Sequence, residues 1–215
     1  LGDNMAAGDT DVKICNKALT YLGASTITSF SDGSPAANAC DQIYKEVKTL
    51  CFGMYPWSFT TKKATLVRDS HTPASEWTYQ YLLPNDMVNL VPRAVRASSD
   101  PGGVLQVGNW EMAQATGGYQ VLMTDLTEVH IDYRKLIAEG SMPTYFVQLL
   151  AYQLAWHLAE VITDQTTKAQ YWRTVAIGTE AESGRGGYFR QAVNIDAGGQ
   201  SPQVIGQYML TDIRA

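Results

Sequence analysis

The stretch "MYPWSFTTKKATL", Met54 to Leu66, is where one periodicity ends and another begins. Pro56 forces Tyr55 out of the helical region of backbone space, so a helix arriving from the N-terminal side must stop there. Beyond it, Ala64-Thr65-Leu66-Val67 turns β-like. Trp57 and Phe59 follow the turn closely enough to fold back onto the helix end. The sequence therefore predicts an aromatic corner of Tyr55, Pro56, Trp57 and Phe59 that fixes the angle between a helix and a strand.

Upstream of the corner, Ala36, Cys40, Ile43, Val47, Leu50 and Met54 form a stripe at helical spacing. Ser34 is placed to cap that helix, and Pro35 takes its first position, where proline is favoured. An earlier helix is predicted from Asp11 to Leu22, with Ile14, Cys15, Ala18, Leu19 and Leu22 on one face and Gly23 as its stop. Asp9 or Thr10 is its candidate cap. Thr26 to Phe30 reads as extended, followed by a turn at Ser31-Asp32-Gly33.

Downstream, the period falls to two and is broken by turn residues as far as Tyr133. The predicted strands are Lys63–Arg68, Trp77–Leu82, Val104–Val107, Asn109–Ala113, Tyr119–Met123 and Glu128–Arg134. Pro101-Gly102-Gly103, Gly108-Asn109 and Gly117-Gly118 are hairpin signals between them. Helical spacing returns at Met142-Pro143, with Phe146, Leu149, Leu150, Ala151, Leu154, Leu158 and Val161 on one face through Thr163. Asp164 is placed to cap a fourth helix to about Ser183, with Ala169, Trp172, Val175 and Ala176 inward. Glycine-rich sequence without periodicity follows and predicts an extended arm. The fold class is thus α+β: a four-helix bundle with an inserted antiparallel β domain and an extended C-terminal arm. Residues 1–60 and 141–184 supply the helices, 61–140 the insertion and 185–215 the arm.

Composition narrows the function classes. The 215 residues are 45% hydrophobic, enough for one sizeable core. A formal net charge of −5 argues against a dedicated nucleic-acid binder, though not against a protein that lets nucleic acid slide past. The three cysteines, Cys15, Cys40 and Cys51, fall on apolar stripes and read as buried thiols, not a disulfide framework. No apolar run is long enough for a membrane span. The first residue is leucine, so the chain reads as processed, cut or numbered from within a longer product.

Catalytic and cofactor signals are weak. The three histidines, His71, His130 and His157, fall in a loop, a strand and a helix. His157 and Glu160 make one His-x-x-Glu pair, without the repeated Glu-x-x-His and extra glutamates that a di-iron bundle needs. Gly184-Arg185-Gly186-Gly187 lacks the Lys-Ser/Thr and helix of a phosphate cradle. Trp156 and Trp172 sit at core spacing. Lys62-Lys63 with Arg68 is the one basic cluster, either a solvated strand end or a partner contact. No catalytic, metal or cofactor residue is assigned, and the chain reads as a non-enzyme.

Several motifs in order carry a resemblance. Asn16, Ala18, Leu19, Leu22 and Gly23 match an Asn-x-Ala-Leu-x-x-Leu-Gly helix, and an alanine-rich helix start follows. Pro56, Trp57, Phe59 and Thr60 match a Pro-Trp-x-Phe-Ala/Thr corner, and Tyr81, Leu83, Pro84 and Asp86 a Tyr-x-Leu-Pro-x-Asp stretch. "MPTYFVQLLAYQLAWHLAEVIT" and "KAQYWRTVAIGTEAES" are similar to third and fourth helices of the same pattern. Over roughly residues 11 to 190 the chain resembles the head-to-tail adaptor proteins of tailed phages, also called tail tubular protein A.

That resemblance implies a virion protein at the head-tail junction, assembled in the bacterial host cytoplasm. Adaptors of this kind form a ring, usually of twelve subunits, between the portal and the tail nozzle or tube. Double-stranded DNA passes through it during packaging and ejection. In that frame the arm, carrying Tyr188, Phe189, Tyr208, Met209 and Leu210, is the candidate portal contact. The hairpin tips Gly108-Asn109-Trp110 and Gly117-Gly118 are the candidate tail contacts. The alternatives are another tail-completion or stopper protein, or a small ligand-binding domain or enzyme using the aromatic corner as a pocket.

Overall fold

The computed structural model describes residues 10–73, 75–97, 109–115 and 117–199. Helix α1 spans Asp11–Leu22; the Thr10 hydroxyl accepts from the Lys13 N–H, and Gly23 closes the helix with φ +72°. Helix α2 spans Pro35–Met54, with the Ser34 hydroxyl accepting from the Ala37 N–H. Tyr55 leaves it in an extended conformation, as the following proline requires.

The chain then builds seven short strands: β1 Thr61–Thr65, β2 Val67–Arg68, β3 Tyr79–Leu82, β4 Ala94–Arg96, β5 Trp110–Gln114, β6 Gln120–Thr124 and β7 His130–Arg134. They form two antiparallel sheets, ordered β1-β7-β4 and β2-β3-β6-β5. The predicted strand Lys63–Arg68 is divided between them at Leu66, which is buried and whose N–H bonds the Val129 carbonyl at 2.8 Å. Leu66, Tyr81, Met87, Val95, Leu122, Val129, Ile131 and Tyr133 fill the space the sheets enclose. Strand β4 is missing from the sequence prediction because three residues between Arg93 and Ala97 carry no readable alternation. The predicted strand Val104–Val107 lies outside the described residues.

The chain returns to helix at α3, Thr144–Thr163, whose residues from Phe146 to Ala159 supply much of the main core. Asp164 does not cap a fourth helix. It ends α3 in the left-handed region at φ 50°, a conformation that short polar residues tolerate. Helix α4 runs only over Thr166–Ile177. Gly178 ends it at φ +84°, where an added Cβ would fall 2.3 Å from the Glu182 carboxylate and 2.7 Å from the Gly186 backbone. No other residue fits there without moving the chain. The Glu182 side chain accepts from the Thr179 N–H at 2.9 Å and so fixes the turn.

Residues 187–198, expected in an extended arm, form helix α5, Gly187–Gly198, packed on α3 and α4. Phe189, Ala192 and Asp196 face inward, so the inward stripe contains a carboxylate and the apolar pattern is interrupted. The fold is mixed α+β with antiparallel sheets, and five α-helices occur among the described residues where four were expected.

One polar network ties the β2-β3-β6-β5 sheet together. The Asp69 carboxylate, only 6% exposed, accepts from Tyr119 Oη and Gln80 Nε2, each at 2.6 Å, and meets His71 Nδ1 at 2.9 Å. The Tyr119 hydroxyl, followed by His71, holds this carboxyl well below the usual carboxylate range. A depressed carboxyl pKa contributes stability that is present above the unfolded value, near about 4, and lost as pH falls below it. Asp69→Asn should therefore lower stability at neutral pH and flatten its decline with acid, as read by urea midpoints between neutrality and about pH 3.

Candidate partner-binding surfaces

The corner is where the modules meet. Trp57 is fully buried, and its Nε1–H donates to the Cys51 carbonyl at 2.9 Å, on the last turns of α2. Its ring makes edge contacts with Tyr55 at 5.1 Å and with Phe146 of α3 at 5.2 Å between centroids. Phe189 of α5 completes the cluster at 6.2 Å, and Phe59 meets Phe146 edge-on at 5.1 Å from the strand side.

Asp196 of α5 closes this cluster from the C-terminal side. Its carboxylate accepts from the Ser58 N–H at 2.9 Å, the Ser58 hydroxyl at 2.7 Å and the Tyr145 hydroxyl at 2.6 Å. Burial, then the nearby carboxylate, pushes the Tyr145 hydroxyl above the ordinary tyrosine range, so it stays a donor. Four elements thus converge on Tyr55 to Phe59: α2, the chain entering β1, α3 and α5.

The residues assigned to partner contact are placed differently from one another. Tyr188 is half-buried with its ring edge-on to Tyr152 at 5.3 Å, and Phe189 is buried; both belong to α5 and pack on their own chain. Tyr208, Met209 and Leu210 lie outside the described residues, as does Gly108. Gly117 and Gly118 form the β5–β6 turn, closed by the Gly118 N–H to the Ala115 carbonyl at 2.9 Å. Asn109 and Trp110 sit at the opposite end of that hairpin, since Trp110 pairs with Thr124 while Gln114 pairs with Gln120. The two predicted tips are therefore about 13 Å of strand apart and do not form one surface. Trp110 also packs against the core enclosed by the sheets.

The basic cluster is dispersed. Lys62 turns to Asp86, at 3.6 Å, and to the Tyr133 ring, while Arg68 stacks 3.6 Å over the Tyr79 ring. Lys63 points to the other side of β1, the alternation that strands impose. His157 is half-buried and stacked on Trp156 at 4.4 Å, and burial lowers its pKa. All three cysteines are buried, and burial raises the Cys51 thiol. Among the described residues, no group of three His, Cys, Asp or Glu side chains is placed to hold a metal, and no helix is long and apolar enough to cross a membrane.

What sequence reasoning missed is the exposed apolar surface. Leu50 of α2 is 52% exposed above a hollow of ≈ 800 Å³ that also involves Gly53, Met54 and Asn89. On α4, Tyr171 is 61% exposed, and Val161 near the end of α3 is 69% exposed. Leu50 lies on the apolar stripe that predicted α2, so its exposure could not be read from periodicity.

No protein-family model matches this chain, and neither does any curated protein. Removing the converging groups tests the corner. Trp57→Ala should cost about 3–5 kcal/mol. Asp196→Asn, which keeps the volume and one accepting oxygen but sets an amide N–H₂ against the Ser58 N–H, should cost about 1–3 kcal/mol. Both are read as reduced urea midpoints, with the slope unchanged for Asp196→Asn.

Proposed function

We propose that this chain is a head-to-tail adaptor of a tailed phage: a non-enzymatic virion protein that assembles as a ring between portal and tail and lets double-stranded DNA pass. One structural observation supports the ring most directly. Two different helices, α2 with Leu50 and α4 with Tyr171, both pack on α3 and each leaves a large apolar side chain in water. A closed ring is built from heterologous contacts, in which two different patches of one subunit meet on successive copies. Two helix faces of one module, each with a large apolar side chain left in water, are the raw material for such a contact.

The corner strengthens this reading. A subunit that must repeat around a ring needs a fixed angle between its helical and β modules, and the packed indole of Trp57 provides one. A twelve-membered ring of chains of charge −5 is predominantly acidic, which favours sliding of DNA over retention. In this reading the sequence beyond α5, with Tyr208, Met209 and Leu210, carries the apolar anchors for the portal. Tyr188 and Phe189 serve the subunit core instead. The β5–β6 turn at Gly117-Gly118 faces the tail. A ligand pocket at the corner has little support, because the Trp57 ring is buried and its N–H is already bonded.

Mass by light scattering tests the proposal, using the full chain and a chain ending at position 199, each alone and with the cognate portal. The full chain should join portal into a ring-sized complex, and the shortened chain should stay folded without joining. A full chain indifferent to portal would refute the adaptor reading. A shortened chain that joins equally well would refute the portal role of Tyr208, Met209 and Leu210.

A further inference from the structure

The outer face of the β1-β7-β4 sheet carries an arrangement that the proposed function does not use. Ala64, Val95, Ile131 and Tyr133 point inward to the core, so strand alternation sends Lys63, Thr65, Arg96, His130, Asp132 and Arg134 to the other side. The register aligns Lys63 with Asp132, and Thr65 and Arg96 with His130. A hollow of ≈ 190 Å³ lies among them, lined by Lys63, Thr65, Arg96, His130 and Asp132 together with Ala64 and Ile131. Lys63 and Arg96 line the hollow against Asp132, with Glu128 at the rim, while Arg134 turns to the Tyr55 carbonyl.

The guanidinium is the informative group. Arg96 pairs with Asp132 end-on, Nη1 to Oδ1 at 2.7 Å and Nη2 to Oδ2 at 2.5 Å. That pairing occupies one N–H on each terminal nitrogen. It leaves the Nε–H and its neighbouring Nη–H as a second, side-on fork. Arg96 Nε is buried and has no hydrogen-bond partner among the described residues, the one side-chain polar atom of which this holds. A buried, unbonded donor costs free energy unless a ligand satisfies it. Lys63 has no ion-pair partner among the described residues, while the Thr65 hydroxyl and His130 Nδ1 bond each other at 3.0 Å and His130 Nε2 meets Glu128 at 3.2 Å.

We infer that this hollow is a phosphate-oxyanion site and that its occupant in the assembled ring is a backbone phosphate of double-stranded DNA. The Nε–H is closed to solvent in the free chain, so a phosphate takes the side-on fork with a shift of the Arg96 side chain, and Lys63 supplies the second charge. Asp132 holds the fork in place and keeps the local net charge low, so contact is weak and reversible, as a passing duplex requires. The site reads no base; it contacts backbone alone. This assignment rests on the adaptor reading for the identity of the duplex, whereas the oxyanion chemistry stands on the sheet face itself.

Fluorescence anisotropy with a short labelled DNA duplex and the full chain tests it across a salt series. The wild type should bind at low salt, with affinity falling as salt rises. Lys63→Glu, on an exposed side chain, should weaken binding and lower the salt slope by at least about one, and Arg96→Lys, which keeps the charge but removes the fork, should weaken binding with the slope little changed. Polyglutamate of equal charge should compete less well than unlabelled duplex. Equal competition by polyglutamate, wild-type behaviour of both variants, or no binding at low salt would overturn the assignment. Association of the same variants with portal, followed by light scattering, separates failure here from failure of the adaptor reading. A chain that joins portal but binds no duplex refutes only the phosphate site.

Discussion

Everything in this structure hangs on the buried indole of Trp57. Its N–H bonds the carbonyl of Cys51 near the end of α2, and its ring is enclosed by residues from α3 and α5 as well as by its own neighbours. Pro56 ends α2 one residue earlier, so helix termination and ring burial are set by adjacent residues. An indole buried this completely, with its one donor satisfied, is held in a single orientation. The direction of β1, and with it the attachment of both sheets, follows. A second tie fixes the same boundary further on, where Tyr44 and Lys48 of α2 donate to the Glu139 carboxylate at 3.0 and 2.6 Å, just after β7.

The same corner explains why α5 belongs to the subunit. Asp196 brings one buried carboxylate to three donors on Ser58 and Tyr145, while Phe189 supplies the apolar half of the contact. The two parts support each other: a carboxylate is costly to bury unless it is bonded, and one phenyl ring is a small anchor for a twelve-residue helix. Their joint docking commits residues 187–198 to the scaffold. Among the surfaces that packing leaves uncovered are the outer faces of α2 and α4 and the charged outer face of the β1-β7-β4 sheet.

How much of this was legible in the sequence depends on how local the determining physics is. Helices α1 and α2 were, because Thr10, Gly23, Ser34 and Pro35 are capping signals that act within a few residues. Four strands were located with shifted ends, and a fifth was found as one run that the structure splits at Leu66. Asp164 misled because aspartate serves both as an N-cap and as a left-handed terminator, and the choice is made by packing. Helix α5 was hidden because its inward stripe contains Asp196, whose partners lie far away in sequence. The basic trio Lys62, Lys63 and Arg68 read as one cluster. Strand alternation and the break at Leu66 send its members to three different surroundings. The phosphate hollow was out of reach of any linear reading, since it needs the register of β1, β7 and β4, and β4 was not foreseen.

Native-state hydrogen exchange of the free chain is the most direct test of the claim that the corner fuses its four elements into one rigid subunit. The account predicts that amides of α5 from Phe189 to Asp196 exchange with opening free energies close to those of α3 around Phe146 and Leu150, and that Asp196→Asn lowers α5 protection selectively. Exchange of α5 at rates near those of an unstructured segment, with α3 fully protected, would contradict it.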